Sequence, residues 1–462
     1  MGDRSPGRTG FLPRRHAHLS YSFRPATMID LLFNVSPVLK ILLVFVLILA
    51  ADRIRVPLGI GLVAGGLAVD LWAGKTEATV LADFGLSLGR PELWLLVLNI
   101  TLILEFGYFM AHEPNSRAIL TASRKLGGRH GRALSLVLIP ASIGLVPMPG
   151  GALFSAPLVG ETLREKNLPP AWKASVNYWF RHVFEYWWPL YPVVIVTLSI
   201  FSLKTWQFFS LQMPFTLVSL LAGWYFILRR HIPHLAEEAL EEQKGGSRLS
   251  VVMAPLVIVV LCTLLLPGWV KALLPHASPT TDKLLAMLVG LGISLLLIAF
   301  ASRADSGFRM FSHIFSRKTA NVVFTLGGVM VFQAMLDASG LLPEAGRQLD
   351  ASMIPVEFVV GFLPFLAGLV TGIAIGFAGP AFPLVVGLIS VNAQLSQASA
   401  LVLAFSMGYV GMMLSPVHLC YVLTRRYFVC DLVPSYVYLL PCVLAVGGWG
   451  IAMHIFLRLA GV

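Results

Sequence analysis

The chain has 462 residues, of which 57% are hydrophobic and only 12% are charged, and its formal net charge is +11. Soluble globular proteins carry about 25% charged residues. Apolar blocks of about 18 or more residues, long enough to cross a bilayer core as helix, recur along this chain. The composition therefore excludes a soluble globular protein and predicts an all-α polytopic membrane protein.

Residues 1–28 form a basic tail with five arginines, and Met28, which opens directly onto an apolar run, is an alternative start. The tail has no small-residue cleavage site, so we do not expect a signal peptide. After the tail, apolar blocks between charged loops predict about ten transmembrane helices. In chain order these spans are Ile29–Ala50, Val56–Ala73, Leu93–Ala111, Ala174–Ser202, Trp206–Leu228, Ser250–Leu273, Leu284–Ala301, Ala320–Ala338, Ala398–Leu423 and Leu432–Phe456.

Two further apolar stretches, 133–160 and 355–390, are interrupted by proline and glycine. Proline removes a helical hydrogen bond and clashes with the preceding turn, so neither stretch is expected to run as one helix. We predict that each is a re-entrant hairpin. With this topology, 20 lysines and arginines lie in the loops on one side and seven on the other. The positive-inside rule then places the richer side in the cytoplasm and both termini in the periplasm, across a cell inner membrane.

The order of these elements repeats on either side of a polar cytoplasmic linker, residues 229–249. Three spans, a broken stretch and two spans fill the first repeat, 29–228, and the same order fills the second repeat, 250–462. Because each half has five crossings, the second half is inverted relative to the first, so the two hairpins open to opposite faces. Paired interrupted segments in inverted repeats indicate the binding site of a transporter.

The hairpin tips supply the first candidate binding residues. The tips are predicted at Pro147–Gly151 and Gly376–Pro380, followed by half-helices beginning at Ala152 and Ala381. Such helix starts direct unpaired N–H groups towards an anion. The alternative is that the tip glycines only allow close helix packing. The candidates at the tips and their nearest hydroxyls are Pro149, Gly150, Gly151, Ser155, Thr371, Gly379 and Pro380.

Charged residues within the fourth span are the second group of candidates, just before a predicted break at Pro189 and Pro192. Arg181 and Glu185 are four residues apart and would face each other along a helix, with His182 beside them. Charges at membrane depth are costly unless paired. Arg181 is therefore a candidate for binding an anion, and Glu185 or His182 for carrying a coupling proton. A purely structural ion pair is the alternative.

The second half has a corresponding break around Pro416, flanked by Ser415 and His418. His418 is a candidate ligand, although a lone histidine is more often packed and hydrogen-bonded. The four cysteines show no CxxC or Cys/His spacing, so they are predicted to pack as small apolar residues rather than to bind a metal. These cysteines are Cys262, Cys420, Cys430 and Cys442.

Two segments carry a resemblance to a known family: Gly144–Val159 (GLVPMPGGALFSAPLV) and Gly408–His418 (GYVGMMLSPVH). They are similar to an uncharacterised bacterial and archaeal integral-membrane family, a domain of unknown function grouped with the ion-transporter superfamily. The resemblance covers residues 29–460 and implies two inverted repeats, each with a re-entrant hairpin and a discontinuous helix. The Ser-Asn-Thr tip motif of the sodium–dicarboxylate members is missing here, which argues against sodium coupling and dicarboxylate transport.

These features predict a secondary active transporter that moves a small anionic solute by alternating access, coupled to H⁺ in preference to Na⁺. The alternative is a membrane subunit of an ion-translocating pump, such as a sodium-pumping decarboxylase, which would need a soluble enzyme partner. An intramembrane enzyme is not expected, because the sequence lacks HExxH, GxSxG and paired intramembrane aspartates. The expected partners are the anion and the lipid bilayer, with a homodimer left open; neither nucleic acid nor a cofactor is expected.

Overall fold

A computed structural model describes residues 35–111, 131–145, 151–163, 168–231, 249–301, 316–352, 354–391 and 395–461. Residues from Ser36 onward belong to one compact unit. The basic tail, the linker 232–248 and the first predicted tip at 146–150 lie outside the described residues. The regular elements of the described part are helices.

Nine helices lie in the first half of the chain. Their bounds are α1 Pro37–Arg53, α2 Leu58–Trp72, α3 Glu77–Leu88, α4 Pro91–Ala111, α5 Gly131–Gly144, α6 Ala152–Thr162, α7 Pro170–Arg181, α8 Pro192–Ile200 and α9 Thr205–Ala222. A π-helical turn, Gly223–Leu228, continues α9. This count refers to the part of the chain that the structure describes.

The second half, over its own described residues, contains ten helices. They are α10 Leu249–Leu265, α11 Pro267–Leu273, α12 Pro279–Ala301, α13 Arg317–Ser339, α14 Leu341–Asp350, α15 Val356–Thr371, α16 Ala374–Val391, α17 Gln397–Leu414, α18 Leu419–Phe428 and α19 Leu432–Leu459. Side-chain caps fix several helix starts in both halves. The hydroxyls of Ser36, Thr76, Ser316 and Ser396 each accept a hydrogen bond from the N–H three residues later, which satisfies a donor that the helix leaves open.

Six helical segments of the described chain are long and apolar enough to cross a membrane, or seven if the bent pair α10 and α11 counts as one span. The six are Pro91–Phe109, Thr205–Leu228, Pro279–Phe300, Thr319–Ser339, Gln397–Phe428 and Leu432–Leu459. The structure therefore supports a multi-pass membrane protein. The remaining predicted spans correspond to the shorter helices α1 and α2 and to the broken pair α7 and α8, and ten spans stay a prediction.

Two short helices, α3 and α14, occupy segments that the sequence analysis treated as loops. Helix α3 packs against α13, and α14 packs against α1 and α16. Lys75, in the turn before α3, forms ion pairs with Asp70 of α2 at 2.8 Å and Asp83 of α3 at 2.6 Å. These contacts fix α3 beside the end of α2.

Helix–helix contacts in the first half recur in the second. Helix α5 packs against α6 and α7, as α15 packs against α16 and α17. Across the two halves, α6 packs against α18 and α16 packs against α8. Helices α7 and α17 lie at the centre: every residue from Ala174 to Arg181 is buried, as is nearly every residue of α17. A helix that is buried on all sides contacts protein rather than lipid.

Candidate functional site

A cavity of about 260 Å³ lies where three helix breaks meet. The breaks separate α7 from α8, α15 from α16, and α17 from α18. Its polar side chains come from two of these breaks, whereas the α15–α16 break contributes backbone and apolar atoms. The lining residues are Leu104, Arg181, His182, Glu185, Tyr191, Pro192, Val193, Val322, Gly372, Ile373, Ala374, Ile375, Met412, His418, Leu419 and Cys420.

Arg181, the last residue of α7, lies buried beside the ends of α5 and α6. A Cβ atom added at Gly151 would overlap the Arg181 guanidinium, and one added at Gly144 would overlap the Arg181 carbonyl oxygen. These two glycines therefore allow close approach, although Gly151 has a φ of −55° and needs no left-handed conformation. Helix α6 begins at Ala152, as predicted. The Arg181 guanidinium therefore lies against the positive end of α6, although the described residues that line the cavity include none from α6.

Aromatic donors from the α7–α8 break cap the end of α5. The Trp188 indole N–H donates to the Leu145 carbonyl at 2.9 Å, and the Tyr191 hydroxyl donates to the Gly144 carbonyl. Carbonyls in the last turn of a helix have no intrahelical donor. The break therefore anchors the C-terminal end of α5 as well as lining the cavity.

The prediction that Arg181 and Glu185 face each other along a helix is wrong, because α7 ends at Arg181 and residues 182–187 are turns. The break begins at His182 rather than at the two prolines. Glu185 instead lies with its carboxylate 3.9 Å from the His182 Nε2, and both side chains line the cavity. The backbone forms turns here in place of the expected helix, and the Glu185 N–H donates to the His182 carbonyl oxygen at 3.2 Å.

The break in the second predicted hairpin lies at a different position from the predicted tip. Helix α16 begins at Ala374 rather than at Ala381, so Gly379 and Pro380 lie inside it. A Cβ atom at Gly379 would lie 2.8 Å from a methyl carbon of Val329 on α13. This glycine therefore allows close helix packing, which was the alternative to a binding role. The actual break is at Gly372, whose φ of +65° is a left-handed conformation that glycine adopts without strain.

The α17–α18 break holds Ser415 and His418 close to Gly372. The Ser415 hydroxyl donates to the Leu369 carbonyl of α15 at 2.8 Å, and a Cβ atom at Gly372 would lie 2.9 Å from both the Ser415 Oγ and the His418 backbone nitrogen. Two of the three breaks are therefore in direct contact. His418 lines the cavity, whereas the described lining does not include Ser415.

Cys420 lines the same cavity, and sequence reasoning missed it. A lone thiol in an apolar block was predicted to be a packing residue. It lies two residues after His418, and only the fold brings it beside His182: one ligand atom from each of the three residues lies within 4.8 Å of the others. The closeness of Cys420 to His418 in the sequence is the one local signal, and it matches no metal-binding motif.

The remaining predicted candidates are placed as follows. Ser155 is fully buried in α6, and its hydroxyl has no hydrogen-bond partner among the described residues. The Thr371 hydroxyl donates to the Ala367 carbonyl of its own helix at 2.7 Å. Neither is among the described lining residues. Pro149 and Gly150 lie outside the part of the chain that the structure describes.

These observations define a class: a helical membrane protein whose partly charged cavity is built from broken helices in both halves of the chain. The chain belongs to a family described as protein of unknown function (DUF401), whose model matches residues 36–453. This membership confirms the resemblance to an uncharacterised integral-membrane family. A search of curated proteins found no match.

The fold is similar to the crystal structure of the YdaH transporter from Alcanivorax borkumensis, with a TM-score of 0.54. The match covers 82% of this chain and 87% of that chain, at 14% sequence identity. At this identity the similarity concerns the fold alone.

Proposed function

We propose that this protein is a secondary active transporter that moves a small anionic solute by alternating access. The observation that carries the proposal is the cavity itself, which is lined by residues of both halves of the chain, among them the buried Arg181. Its volume of about 260 Å³ is below the range of about 300–1,000 Å³ for drug-sized ligands, so a small solute fits it. The YdaH fold, which belongs to a protein described as a transporter, supports the same function.

Anion selectivity would come from Arg181 together with two helix starts. Helix α16 presents its first turn, Ala374 and Ile375, to the cavity, and N–H groups in a first turn lack helical acceptors. Gly151 at the start of α6 contacts the guanidinium. A carboxylate or phosphate held by Arg181 would therefore also be attracted by the positive N-terminal ends of α6 and α16.

Alternating access would use the pairing of the two halves. The recurring contacts of α5, α6 and α7 with those of α15, α16 and α17 support two inverted repeats, 29–228 and 250–462, and re-entrant hairpins at 133–160 and 355–390. In such transporters one repeat rocks against the other around a fixed site. The breaks supply the flexible joints, because a helix interrupted at Gly372 or His182 can change direction there.

Coupling to H⁺ is favoured over Na⁺ by the side chains in the cavity. Glu185 is the carboxylate among the described lining residues, and it faces the His182 imidazole at 3.9 Å. Na⁺ sites are built from several oxygen ligands, whereas a carboxyl group beside an imidazole can pass a proton. Glu185 is therefore the proposed proton carrier. A cell inner membrane location, periplasmic termini and a homodimer remain proposals of the sequence analysis.

Uptake by purified protein in proteoliposomes tests the proposal. A panel of organic and inorganic anions would be offered under an imposed proton gradient and, separately, a sodium gradient. We expect accumulation of at least one anion under the proton gradient, with loss of accumulation when the gradient is collapsed. Failure of every solute under both gradients, with a soluble enzyme that co-purifies, would instead favour the ion-pump subunit.

A further inference from the structure

Three potential metal ligands meet in the wall of the cavity. His182 follows α7, His418 precedes α18 and Cys420 lies in the first turn of α18. All three are buried, and one ligand atom from each lies within 4.8 Å of the others. The residues come from opposite halves of the chain, so the fold and not the local sequence assembles them.

Hydrogen bonds direct the His182 ring so that its Nε2 is available. Its Nδ1 lies 2.6 Å from the Tyr178 carbonyl oxygen. A carbonyl only accepts, so Nδ1 carries the proton in the neutral ring and Nε2 keeps its lone pair. The His182 Nε2 lies 3.9 Å from the Glu185 carboxylate.

The His418 ring is held in the same way. Its Nδ1 lies 3.1 Å from the Tyr178 hydroxyl and 3.3 Å from the Met412 carbonyl. The Tyr178 hydroxyl is also 3.1 Å from the Met413 carbonyl, to which it donates. Nδ1 then donates to the hydroxyl oxygen and the Met412 carbonyl, and the Nε2 lone pair is left for a ligand. One residue, Tyr178, therefore orients both imidazoles through its carbonyl and its hydroxyl.

We propose that His182 Nε2, His418 Nε2 and Cys420 Sγ bind a Zn²⁺-like metal ion in the cavity. Metal-binding histidines commonly donate their other ring N–H to a carbonyl, which fixes the tautomer, and both rings here do so. Imidazole and thiolate ligands select Zn²⁺ or Cu⁺ over Na⁺, Mg²⁺ and Ca²⁺. The site is therefore distinct in chemistry from a sodium-coupling site.

To bind the metal ion, the ligand atoms of the three side chains must move closer together. In a tetrahedral zinc site with bonds of about 2.0–2.3 Å, ligand atoms lie about 3.3–3.7 Å apart, whereas here one nitrogen of each imidazole and the Cys420 Sγ lie within 4.8 Å of one another. Binding also releases the Cys420 thiol proton to solvent, because the thiolate is the ligand. Arg181 lines the same cavity as the three ligands.

Cobalt binding by the purified, tag-free, chelator-treated protein tests the site. We expect one equivalent of Co²⁺ to give the sulfur-to-cobalt charge-transfer band of a thiolate ligand, and Zn²⁺ to displace it. Cys420→Ser should abolish the band. Tyr178→Phe should weaken binding by about 10- to 100-fold, the range for losing a partner that orients a ligand. His418→Gln, which removes a ligand itself, should weaken binding more. The matched controls are Cys442→Ser and His454→Gln, a buried thiol and a buried imidazole outside the cavity lining, and both should bind Co²⁺ like the wild type.

The proposal is overturned if wild-type protein shows no charge-transfer band at one equivalent, or if the band survives in Cys420→Ser. Should Cys420→Ser fail to fold, alkylation gives an independent readout: with Cys262, Cys430 and Cys442 changed to serine, Zn²⁺ should slow modification of Cys420, and an unchanged rate would refute the site. These measurements use neither solute nor gradient, so their outcome does not depend on whether the proposed transport is correct.

Discussion

Replacement of Gly372 by alanine tests whether the α15–α16 break must touch the α17–α18 break. Gly372 has a φ of +65°, and a non-glycine residue in that conformation costs about 1–2 kcal/mol. The added Cβ atom would also lie 2.9 Å from the Ser415 Oγ, 2.9 Å from the His418 backbone nitrogen and 3.0 Å from its Cα. Overpacking of this kind costs about a further 1–3 kcal/mol.

Gly340, at the end of α13, provides the matched control. Its φ is +69°, and an added Cβ atom would meet nothing within 4 Å. Gly340→Ala should therefore cost only the conformational penalty of about 1–2 kcal/mol, whereas Gly372→Ala should cost about 2–5 kcal/mol, the sum of that penalty and the overpacking.

Thermal unfolding in detergent and anion uptake in proteoliposomes measure the two variants. We expect the larger fall in melting temperature, and the loss of uptake, in Gly372→Ala, with uptake close to wild type in Gly340→Ala. Equal melting shifts and equal uptake in both variants would refute the close contact between the breaks.

Three further substitutions test individual side chains. Arg181→Gln should weaken anion binding by about 10- to 100-fold, because a charged hydrogen bond contributes about 1.5–3 kcal/mol; Arg347→Gln, at an exposed arginine, is the control, and a similar loss in both would contradict an anion site at Arg181. Glu185→Gln removes the proposed proton carrier, so uptake should lose its dependence on pH; an unchanged pH profile would remove Glu185 from the mechanism. Ser155→Ala deletes a buried hydroxyl with no partner among the described residues. It should leave the melting temperature unchanged or raise it, and a clear fall would show that the hydroxyl is satisfied in the folded protein.

Much of the architecture is readable from the sequence because the bilayer imposes simple rules. Long apolar blocks predicted the spans that the structure contains, including the helix from Pro91 and the final helix to Leu459. Proline and glycine also predicted that 355–390 would be broken. The exact break was missed because Pro380 and Pro383 are accommodated within α16, while Gly372 is recognisable only from its positive φ.

The cavity residues were predicted less completely, since the fold assembles them from distant segments. Arg181, His182, Glu185 and His418 were chosen as polar groups in apolar blocks, and all four line the cavity. Cys420 was discounted, because nothing local shows that its thiol approaches His182 from the opposite half. Short-range polarity therefore predicts which residues are costly to bury, whereas their mutual distances depend on tertiary packing.

Accessibility of Cys420 tests the central proposal, a solute cavity that opens alternately to the two faces of the membrane. With the other three cysteines changed to serine, a membrane-impermeant thiol reagent would be applied to right-side-out and to inverted vesicles treated with a chelator. The proposal predicts labelling from both faces and slower labelling when a transported anion is present. Labelling from one face only in every condition, at a rate that no anion changes, would contradict it.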